Sequence, residues 1–402
     1  MKKILIITTF NNHFRFFKRL ADVLSQLNYE VHFLTNRYSI VQESKNTKYK
    51  VYKLKNSKIK CGYKVDVENT FEVAAGLISV TKAEKLVSSV FTKIEELCGK
   101  HKYDYFFMWS GVRLIEFVAN EFAKKINVQT LFFELGNFPG KLFVDPLGTN
   151  AKSLLTKDVT ILNKFDRDIE KFQKWRMEYI EKSLSEHKVP QGSSSGTVEY
   201  KKNIIDTIGF RLLNYIQYEP LITKEKLIGK YFRKLVQIDY DKVDLEKEEY
   251  IFYPMQVNKD AQLILNSEVG NLKALKKVSN IANRKGKNLL VKPHPAEVEV
   301  GLMKKVRDLK DELQFYIVKE NTMQLIYHST EVITINSTVG LQAKLFDKPV
   351  TCLGKAFYSE FTDEDLARYL SSYLIEVDFW DESQIDISTA EEIISRTNIR
   401  QV

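Results

Sequence analysis

Short runs of consecutive hydrophobic residues alternate with amphipathic stretches along most of this chain. The first run, residues 3–8, is apolar at every interior position, which predicts a buried strand. An amphipathic helix is predicted next, and residues 30–35 predict a second strand. A strand, a helix and a strand at this spacing form a βαβ unit. The apolar stripe of the predicted helix consists of Phe14, Phe17, Leu20, Ala21 and Leu24.

The same alternation continues in two series along the chain. The first series predicts helix 82–100, strand 105–109, helix 114–125 and strand 129–134. The second predicts strands 250–253, 288–292, 314–318, 331–335 and 349–352, separated by helices 272–284, 301–310, 323–328 and 340–346. These patterns predict an α/β protein with two Rossmann-like, doubly wound domains that face a cleft.

Composition divides the chain into three parts. An N-terminal domain is predicted over residues 1–245, with a charged, helical insertion from about 155 to 245. Residues 190–197, inside the insertion, have the glycine and serine composition of a flexible linker, either natural or engineered. A C-terminal domain is predicted over residues 246–375, and residues 376–402 are predicted to form a tail that packs back on the first domain.

The chain of 402 residues has a formal net charge of +9, from 61 Lys and Arg against 52 Asp and Glu. This excess favours an anionic partner such as a nucleotide sugar, an acidic glycan or a membrane leaflet, or else reflects a lysine-rich surface. Nucleic acid is disfavoured as a partner, because the sequence lacks zinc-finger spacing, RNA-binding aromatic motifs and dense arginine runs.

Cysteine usage and hydropathy bear on the compartment. The three cysteines form no CxxC pair, which suits a reducing environment. The first apolar run is too short for a signal peptide, and no stretch reaches the ~18 apolar residues of a membrane span. The sequence therefore predicts a cytoplasmic protein, with peripheral contact at the inner membrane as an open alternative. Residues 9–13 contain no glycine, so a dinucleotide-binding fingerprint is missing after the first strand.

A histidine framed by prolines follows predicted strand 288–292. Residues 292–295 read Lys-Pro-His-Pro, and the prolines fix the backbone so that His294 is held at the end of the strand. Its imidazole can donate to a phosphate or hydroxyl group, and Lys292 adds positive charge. The alternative is a histidine in a rigid turn without a ligand. The frame at a strand end favours the functional interpretation.

A helix start with two hydroxyl groups follows predicted strand 331–335. Ser337 or Thr338 is expected to be the N-cap, where backbone N–H groups lack helical partners. Such a helix start can bind phosphate, whereas the alternative is a cap that serves only the helix. Combined with the His-Pro turn, the motif indicates an anion site.

Carboxylates follow two other predicted strands. Glu134 stands at the end of strand 129–134, before a glycine-rich loop that contains Asp145, and a carboxylate there could act as acid or base. The alternative is a structural loop that Asp145 and Asn150 anchor, and Asp145 is open to either role. Gln256, after strand 250–253, could hydrogen-bond a ligand. Asp260 could be a nucleophile or an ion-pair partner of Lys259. From spacing alone, the structural interpretation is favoured for Gln256 and Asp260.

Together the motifs resemble the capsule-synthesis family of bacterial β-Kdo transferases, where Kdo is 3-deoxy-manno-oct-2-ulosonic acid. The resemblance implies a glycosyltransferase-B fold. The segments that carry it are Gln256-Val257 with Asp260, residues 292–295, residues 336–340 and 348–351, Gly354 with Phe357-Tyr358, and the loop 134–150.

The resemblance implies transfer of Kdo from CMP-Kdo to an oligosaccharide or lipid-linked glycan acceptor, with retention and a β-linked product. No metal or other cofactor is expected. Asp260 would be the covalent nucleophile, and Glu134 would be the base for the acceptor hydroxyl. The residues implied to hold the CMP donor are Lys292, His294, Ser337, Thr338 and Gln256.

Three other functions stay open. A transferase for CMP-sialic acid would invert and need no nucleophile; an inactive glycan-assembly partner would keep the fold alone; and a nucleotide-sugar epimerase would share the two-domain plan but leave the Gln-Val-Asp element unexplained. A basic stretch in the insertion is either an acceptor surface or a solvated helix face. It consists of Lys226, Lys230, Arg233 and Lys234.

Overall fold

The structure of the chain, a computed structural model, describes residues 1–59, 61–185, 196–219, 238–297 and 299–399. The chain forms two compact units. The first comprises Met1–Asp166, Gln191–Leu221 and Arg368–Val402, and the second comprises Arg167–Pro190 and Ile222–Ala367. The predicted linker up to residue 195 and the basic stretch with Lys226, Lys230, Arg233 and Lys234 lie outside the described residues, so both stay predictions.

Residues 2–145 supply six of the seven strands of the sheet in the first unit. The strands are β1 (Lys2–Ile7), β2 (Tyr29–Thr35), β3 (Lys50–Lys53), β4 (Tyr105–Trp109), β5 (Gln129–Leu135) and β6 (Lys141–Asp145). The helices are α1 (Asn11–Gln26), α2 (Tyr38–Glu43), α3 (Phe71–Ala74), α4 (Val80–Lys100), α5 (Leu114–Lys125) and α6 (Leu154–Lys157). The first five strands are parallel and β6 is antiparallel to β5. The chain continues from β1 to β2 on one side and later to β4 on the other side of β1, so the winding direction changes. The switch point therefore lies between β1 and β4.

Strand β1 shows how this sheet is buried on both faces. Ile4 and Ile6 belong to a core with α1, while Leu5 and Ile7 belong to a second core with α4 and α5. All four side chains are fully buried. A continuous apolar run is therefore what a parallel strand between two helical layers requires. The apolar stripe predicted for α1 is buried as well, and that prediction is confirmed.

The predicted helical insertion contributes to both units. It forms α7 (Ile169–Ser185) in the second unit and α8 (Gly196–Leu212) in the first.

The second unit has a five-stranded parallel sheet. Its strands are β7 (Tyr250–Pro254), β8 (Asn288–Lys292), β9 (Tyr316–Ile317), β10 (Glu331–Thr334) and β11 (Val350–Cys352). The helices that follow α8 are α9 (Ala261–Asn266), α10 (Asn271–Lys285), α11 (Val300–Asp308), α12 (Lys310–Leu313), α13 (Thr322–His328), α14 (Thr338–Leu345) and α15 (Asp363–Arg368). The strand order is β11-β10-β7-β8-β9. The switch point therefore lies between β7 and β10.

The last residues belong to the first unit. Strand β12 (Ile375–Glu376) pairs antiparallel with β6, with Ile375 opposite Leu142. Helix α16 (Ile387–Ser395) packs beside α1 in the same core. The completed first sheet has the order β12-β6-β5-β4-β1-β2-β3.

The predicted class, α/β with two Rossmann-like and doubly wound units, is confirmed by the two sheets. Most predicted elements differ from the observed ones by one or two residues at their ends. Predicted strand 314–318 is shorter, because Gln314 ends α12 in a left-handed conformation with φ 50° and leaves only Tyr316–Ile317 for β9. In the part of the chain that the structure describes, no helix is long and apolar enough to cross a membrane.

Candidate functional site

The loops after β7, β8 and β10 meet at one edge of the second sheet. These strands are parallel and adjacent, with β7 between the other two. Their carboxyl ends deliver Gln256, His294 and Ser337 to the same edge, next to the switch point. Open α/β sheets bind their ligands in this place. The tertiary fold thus brings together three motifs that are far apart in the sequence.

The proline-framed turn fixes the imidazole of His294. Its Nδ1 accepts a hydrogen bond from the N–H of Ala296 at 3.0 Å, and its carbonyl accepts one from the N–H of Glu297 at 3.0 Å. Because Nδ1 is an acceptor, the proton of the neutral ring lies on Nε2. His294 can therefore act as a hydrogen-bond donor through Nε2.

The side chain of Gln256 connects the loop after β7 to the loop after β10. Its Nε2 donates to Oδ1 of Asn336 at 2.9 Å, and its Oε1 accepts from the N–H of Asn336 at 3.1 Å. Its own N–H donates to Oδ1 of Asn271 at 3.2 Å, and its carbonyl accepts from Nδ2 of Asn271 at 2.9 Å. Both ends of the amide are bonded within the protein. In this arrangement Gln256 is a positioning residue for the segment that precedes Ser337.

Helix α14 begins at the same edge. Ser337 is the N-cap, since its Oγ accepts from the N–H of Val339 at 3.2 Å, which confirms the predicted cap. The carbonyl of Ser337 accepts a hydrogen bond from Oη of Tyr358. Gly340 allows this close packing, because a Cβ at that position would lie 2.5 Å from Tyr358 Oη. The N–H of Thr338 makes no hydrogen bond within the described residues, so it is available to an anion.

Asp260 lies one short loop beyond β7 and caps α9. Its Oδ1 accepts from the N–H of Gln262 at 2.7 Å. Its Oδ2 takes no hydrogen bond from any residue that the structure describes. One oxygen therefore serves the helix, and the other is available for chemistry.

Lys292, the last residue of β8, is bonded inside the unit. Its Nζ donates to the carbonyl of Glu320 at 2.6 Å and to Oγ1 of Thr322 at 2.8 Å. Burial lowers the pKa of this ammonium, and the nearby Glu320 carboxylate opposes the shift. Two of its three hydrogens are used within the protein, which makes Lys292 a brace for the connection from β9 to α13.

Glu134 lies at the corresponding edge of the first sheet. Its Oε1 accepts from Nε1 of Trp109 at 3.2 Å and from the N–H of Leu135 at 3.1 Å. The indole of Trp109 stacks on the imidazole of His13, with centroids 4.3 Å apart and planes at 18°. Burial and, to a smaller extent, the charge of Arg113 lower the pKa of His13 to about 3, so the ring is neutral. His13, Trp109 and Glu134 thus form a row beside the switch point of the first unit.

A buried group of charged residues lies next to this row. Arg113 pairs with Glu72 at 3.2 Å and with Glu219 at 2.6 Å, and Arg37 pairs with Glu219 at 2.9 Å. Burial raises the pKa of Glu72 to about 7, although Arg113 opposes the shift. Burial also raises the pKa of Glu116 well above its ordinary value. Burial therefore outweighs the arginine charge at both carboxyl groups.

Asp145 anchors the loop after β6. Its Oδ1 accepts from the N–H groups of Leu147 at 2.7 Å and Gly148 at 3.1 Å, and its Oδ2 accepts from Leu154 N–H at 3.0 Å and Tyr373 Oη at 2.7 Å. The side chain is fully buried. The structural interpretation of Asp145 is therefore confirmed. Within the described ranges, no group of three or more His, Cys, Asp or Glu residues could hold a metal ion.

A sequence profile described as "Capsule polysaccharide biosynthesis protein" matches residues 106–364, which is more than half of the chain. The chain belongs to this family. The matched region contains every predicted site residue in both units, and the resemblance to a capsule-synthesis family is confirmed.

This capsule family member is also similar to individual proteins. It is 24% identical over 294 residues to the capsule polysaccharide modification protein LipB of Neisseria meningitidis serogroup A, covering 66% of this chain and 67% of LipB. Among solved structures, the beta Kdo 2,7 transferase KpsC of Thermosulfurimonas dismutans superimposes with a TM-score of 0.43 at 15% identity, covering 99% of each chain. The UDP-GlcNAc 2-epimerase of Methanocaldococcus jannaschii gives a TM-score of 0.31 at 11% identity, covering 98% of each chain.

Several residues that shape these edges of the capsule protein were missed by the sequence analysis. Asn336 stands inside a motif already singled out, so its place before the cap was a usable signal. Asn271 and the buried Glu297, which accepts from the N–H of a residue in the loop after β7, gave no such signal because their partners are distant in sequence. His13 lies in the loop after the first predicted strand and Trp109 ends predicted strand 105–109, and neither position carried a site motif.

Proposed function

We propose that this capsule protein is a glycosyltransferase that moves Kdo from CMP-Kdo to a glycan acceptor, with retention and a β-linked product. The observation that carries the proposal is the edge of the second sheet, where His294 and the start of α14 flank the switch point. A phosphate is held by hydrogen-bond donors, and the proposed donors are His294 Nε2 and the N–H and hydroxyl of Thr338. Membership of the capsule family supports a glycan product, and the motif resemblance supports Kdo.

The proposed reaction proceeds by two displacements. The carboxylate of Asp260 attacks the anomeric carbon of Kdo, and the bond from that carbon to the CMP phosphate breaks with its electron pair on the phosphate oxygen. The acceptor hydroxyl then attacks the same carbon, Asp260 leaves, and the hydroxyl proton goes to Glu134. Two inversions give retention. His294 and the start of α14 stabilise the charge that develops on the departing phosphate.

The partners in this proposal are CMP-Kdo and an oligosaccharide or lipid-linked glycan. The proposal also places the protein in the cytoplasm or at the surface of the inner membrane. CMP is itself the leaving group. We assign no metal to the reaction and expect full activity in EDTA.

Replacement of Asp260 by Asn tests its role as the nucleophile. Asparagine is as good an N-cap as aspartate, so the variant should fold and bind CMP normally, while the transfer rate should fall by ~10³-fold or more. Steady-state transfer and calorimetric CMP binding are the two measurements. Asp158→Asn, which changes a capping aspartate of the first unit, is the matched control. Normal turnover of Asp260→Asn would remove Asp260 from the mechanism.

A transferase for CMP-sialic acid is the second candidate. The capping bond of Asp260 favours it, because an inverting enzyme could keep this residue for structure alone. Incubation of the protein with CMP-Kdo and with CMP-sialic acid separates the two. We expect release of CMP from CMP-Kdo only. Release from CMP-sialic acid only would establish the second candidate. Release from neither donor, together with no CMP binding in a calorimetric titration, would indicate an inactive assembly partner.

A further inference from the structure

A pocket of about 270 Å³ opens in the first unit between α1 and the segment that follows β12. Asn12 and Arg15 line it from α1, and Phe379, Trp380 and Glu382 line it from the other side. The indole of Trp380 is 44% exposed, whereas Phe379 is 8% exposed. The pocket therefore presents one open aromatic face among amide, guanidinium and carboxylate groups.

The wall that carries Trp380 is held in place without a ligand. Nη1 of Arg19 donates to the carbonyl of Ser383 at 3.0 Å, and Nη2 donates to the carbonyls of Asp378 at 2.8 Å and Phe379 at 3.2 Å. The N–H of Trp380 donates to Oδ1 of Asp378 at 2.7 Å. A wall that is already ordered reduces the entropy lost when a ligand binds.

The polar groups of the rim can exchange partners. Arg15 pairs with Glu43 at 2.9 Å and Lys18 pairs with Asp22 at 3.1 Å, and both cationic side chains are at least 40% exposed. Exposed ion pairs of this kind are weak, so hydroxyl groups of a ligand can compete for them. A sugar ring has an apolar C–H face that can stack on an indole and hydroxyl groups that can reach the surrounding polar side chains.

Side-chain contacts inside the first unit lead from the wall of the pocket to the candidate base. The ring of Phe379, which lines the pocket, lies 4.8 Å from the ring of Trp109, centroid to centroid. Nε1 of Trp109 donates to Glu134 at 3.2 Å. One ring contact and one hydrogen bond therefore link the wall of the pocket to the carboxylate.

We infer that this pocket is an acceptor subsite that binds a further sugar residue of the glycan, next to the residue whose hydroxyl faces Glu134. The inference rests on the proposed function and adds to it a preference for acceptors of more than one sugar. Affinity for the acceptor then depends on glycan length, because only a longer glycan reaches Trp380.

Transfer kinetics with acceptors of two lengths test this subsite. The acceptors are glycans of one and of three residues, released by mild acid from the capsule of the source strain, and the donor is CMP-Kdo. We expect Trp380→Ala to raise the KM for the longer acceptor about tenfold, with kcat and the KM for the donor unchanged. The KM for the single sugar should not change, and Trp380→Phe should restore most of the affinity because it keeps a ring.

The matched control is Tyr327→Ala, which removes a comparably exposed aromatic side chain, 49% exposed, from the second unit. Equal KM values of wild type and Trp380→Ala for the longer glycan would overturn the inference, as would an equal rise for both acceptors. If wild type transfers nothing from CMP-Kdo, the proposed function fails. Calorimetric titration of the longer glycan then tests the subsite by itself: binding that depends on Trp380 supports it, and binding that does not overturns it.

Discussion

At the scale of single residues, the amide of Gln256 joins two parts of the candidate site. It bonds both the N–H and the side chain of Asn336, a residue 80 positions away in sequence and 9% exposed. A buried pair of this kind has no water to replace a lost partner. Gln256 therefore sets the position of the segment that leads into Ser337.

Replacement of Gln256 by Leu should lower the free energy of unfolding by about 1–3 kcal/mol, because the buried groups of Asn336 lose their partners. It should also weaken CMP binding, since the start of α14 is no longer held. Urea denaturation and calorimetric titration measure the two effects. Gln324→Leu is the control: it removes a hydrogen bond from the side-chain amide of Gln324 in α13 to the carbonyl of Leu184, and it should leave CMP affinity intact. A stable Gln256→Leu protein with normal CMP affinity would contradict the positioning role.

Local signals made some of these residues predictable. The prolines around His294 and the cap at Ser337 act over two or three residues, so the sequence alone placed them correctly at strand ends. The bonds of Gln256 and Lys292 connect separate βα units, and such partners are not visible in a single sequence. The resemblance implies that both residues contact the donor, and the structure adds hydrogen bonds within the protein that the sequence could not show.

At the scale of elements, the start of α14 depends on one glycine. A Cβ at position 340 would lie 2.5 Å from Oη of Tyr358 and 2.9 Å from Cγ2 of Thr334, both of which pack at the start of the helix. A contact below 3.0 Å must displace one of the partners. With a larger residue at 340, either Tyr358 or the helix start must therefore move.

Gly340→Ala should destabilise the second unit by about 1–3 kcal/mol and weaken CMP binding, because the helix start shifts. Adding Tyr358→Phe removes the nearest atom and should recover part of both losses. Gly301→Ala in α11 is the control, since a Cβ there meets nothing within 4 Å, and it should not lower stability. The assays are again urea denaturation and CMP titration; a Gly340→Ala protein that matches wild type in both would refute the packing argument.

Glu72, in the buried group of charged residues of the first unit, predicts that the stability of this unit depends on pH. The pKa of Glu72 is raised by burial from 4.5 to about 7. Between these values the unfolded chain has lost a proton that the folded unit keeps, so raising the pH favours unfolding by up to about 3 kcal/mol. Glu72→Gln removes this contribution.

Urea midpoints at pH 5 and pH 7.5 test the effect of Glu72. The midpoint of wild type should fall more than that of Glu72→Gln as the pH rises. Equal changes in the two proteins would show that Glu72 keeps an ordinary pKa in the folded unit.

At the scale of the whole molecule, the alternation of strands and helices was sufficient to predict two doubly wound units. The continuous apolar runs of β1 and β7 and the helical period of the α1 stripe are local patterns, so they could be read directly. The pairing of β12 with β6 could not be read, because a strand of two residues has no period of its own. The role of the C-terminal segment in the first sheet therefore depends on tertiary contacts.

The most direct test of the central claim is calorimetric titration of CMP into wild type, His294→Ala and the control His328→Ala. If the His-Pro turn and the start of α14 hold the nucleotide phosphate, wild type and His328→Ala should bind CMP saturably, and His294→Ala should bind it about tenfold more weakly or worse. Equal affinities of wild type and His294→Ala, or no binding by wild type, would contradict the account.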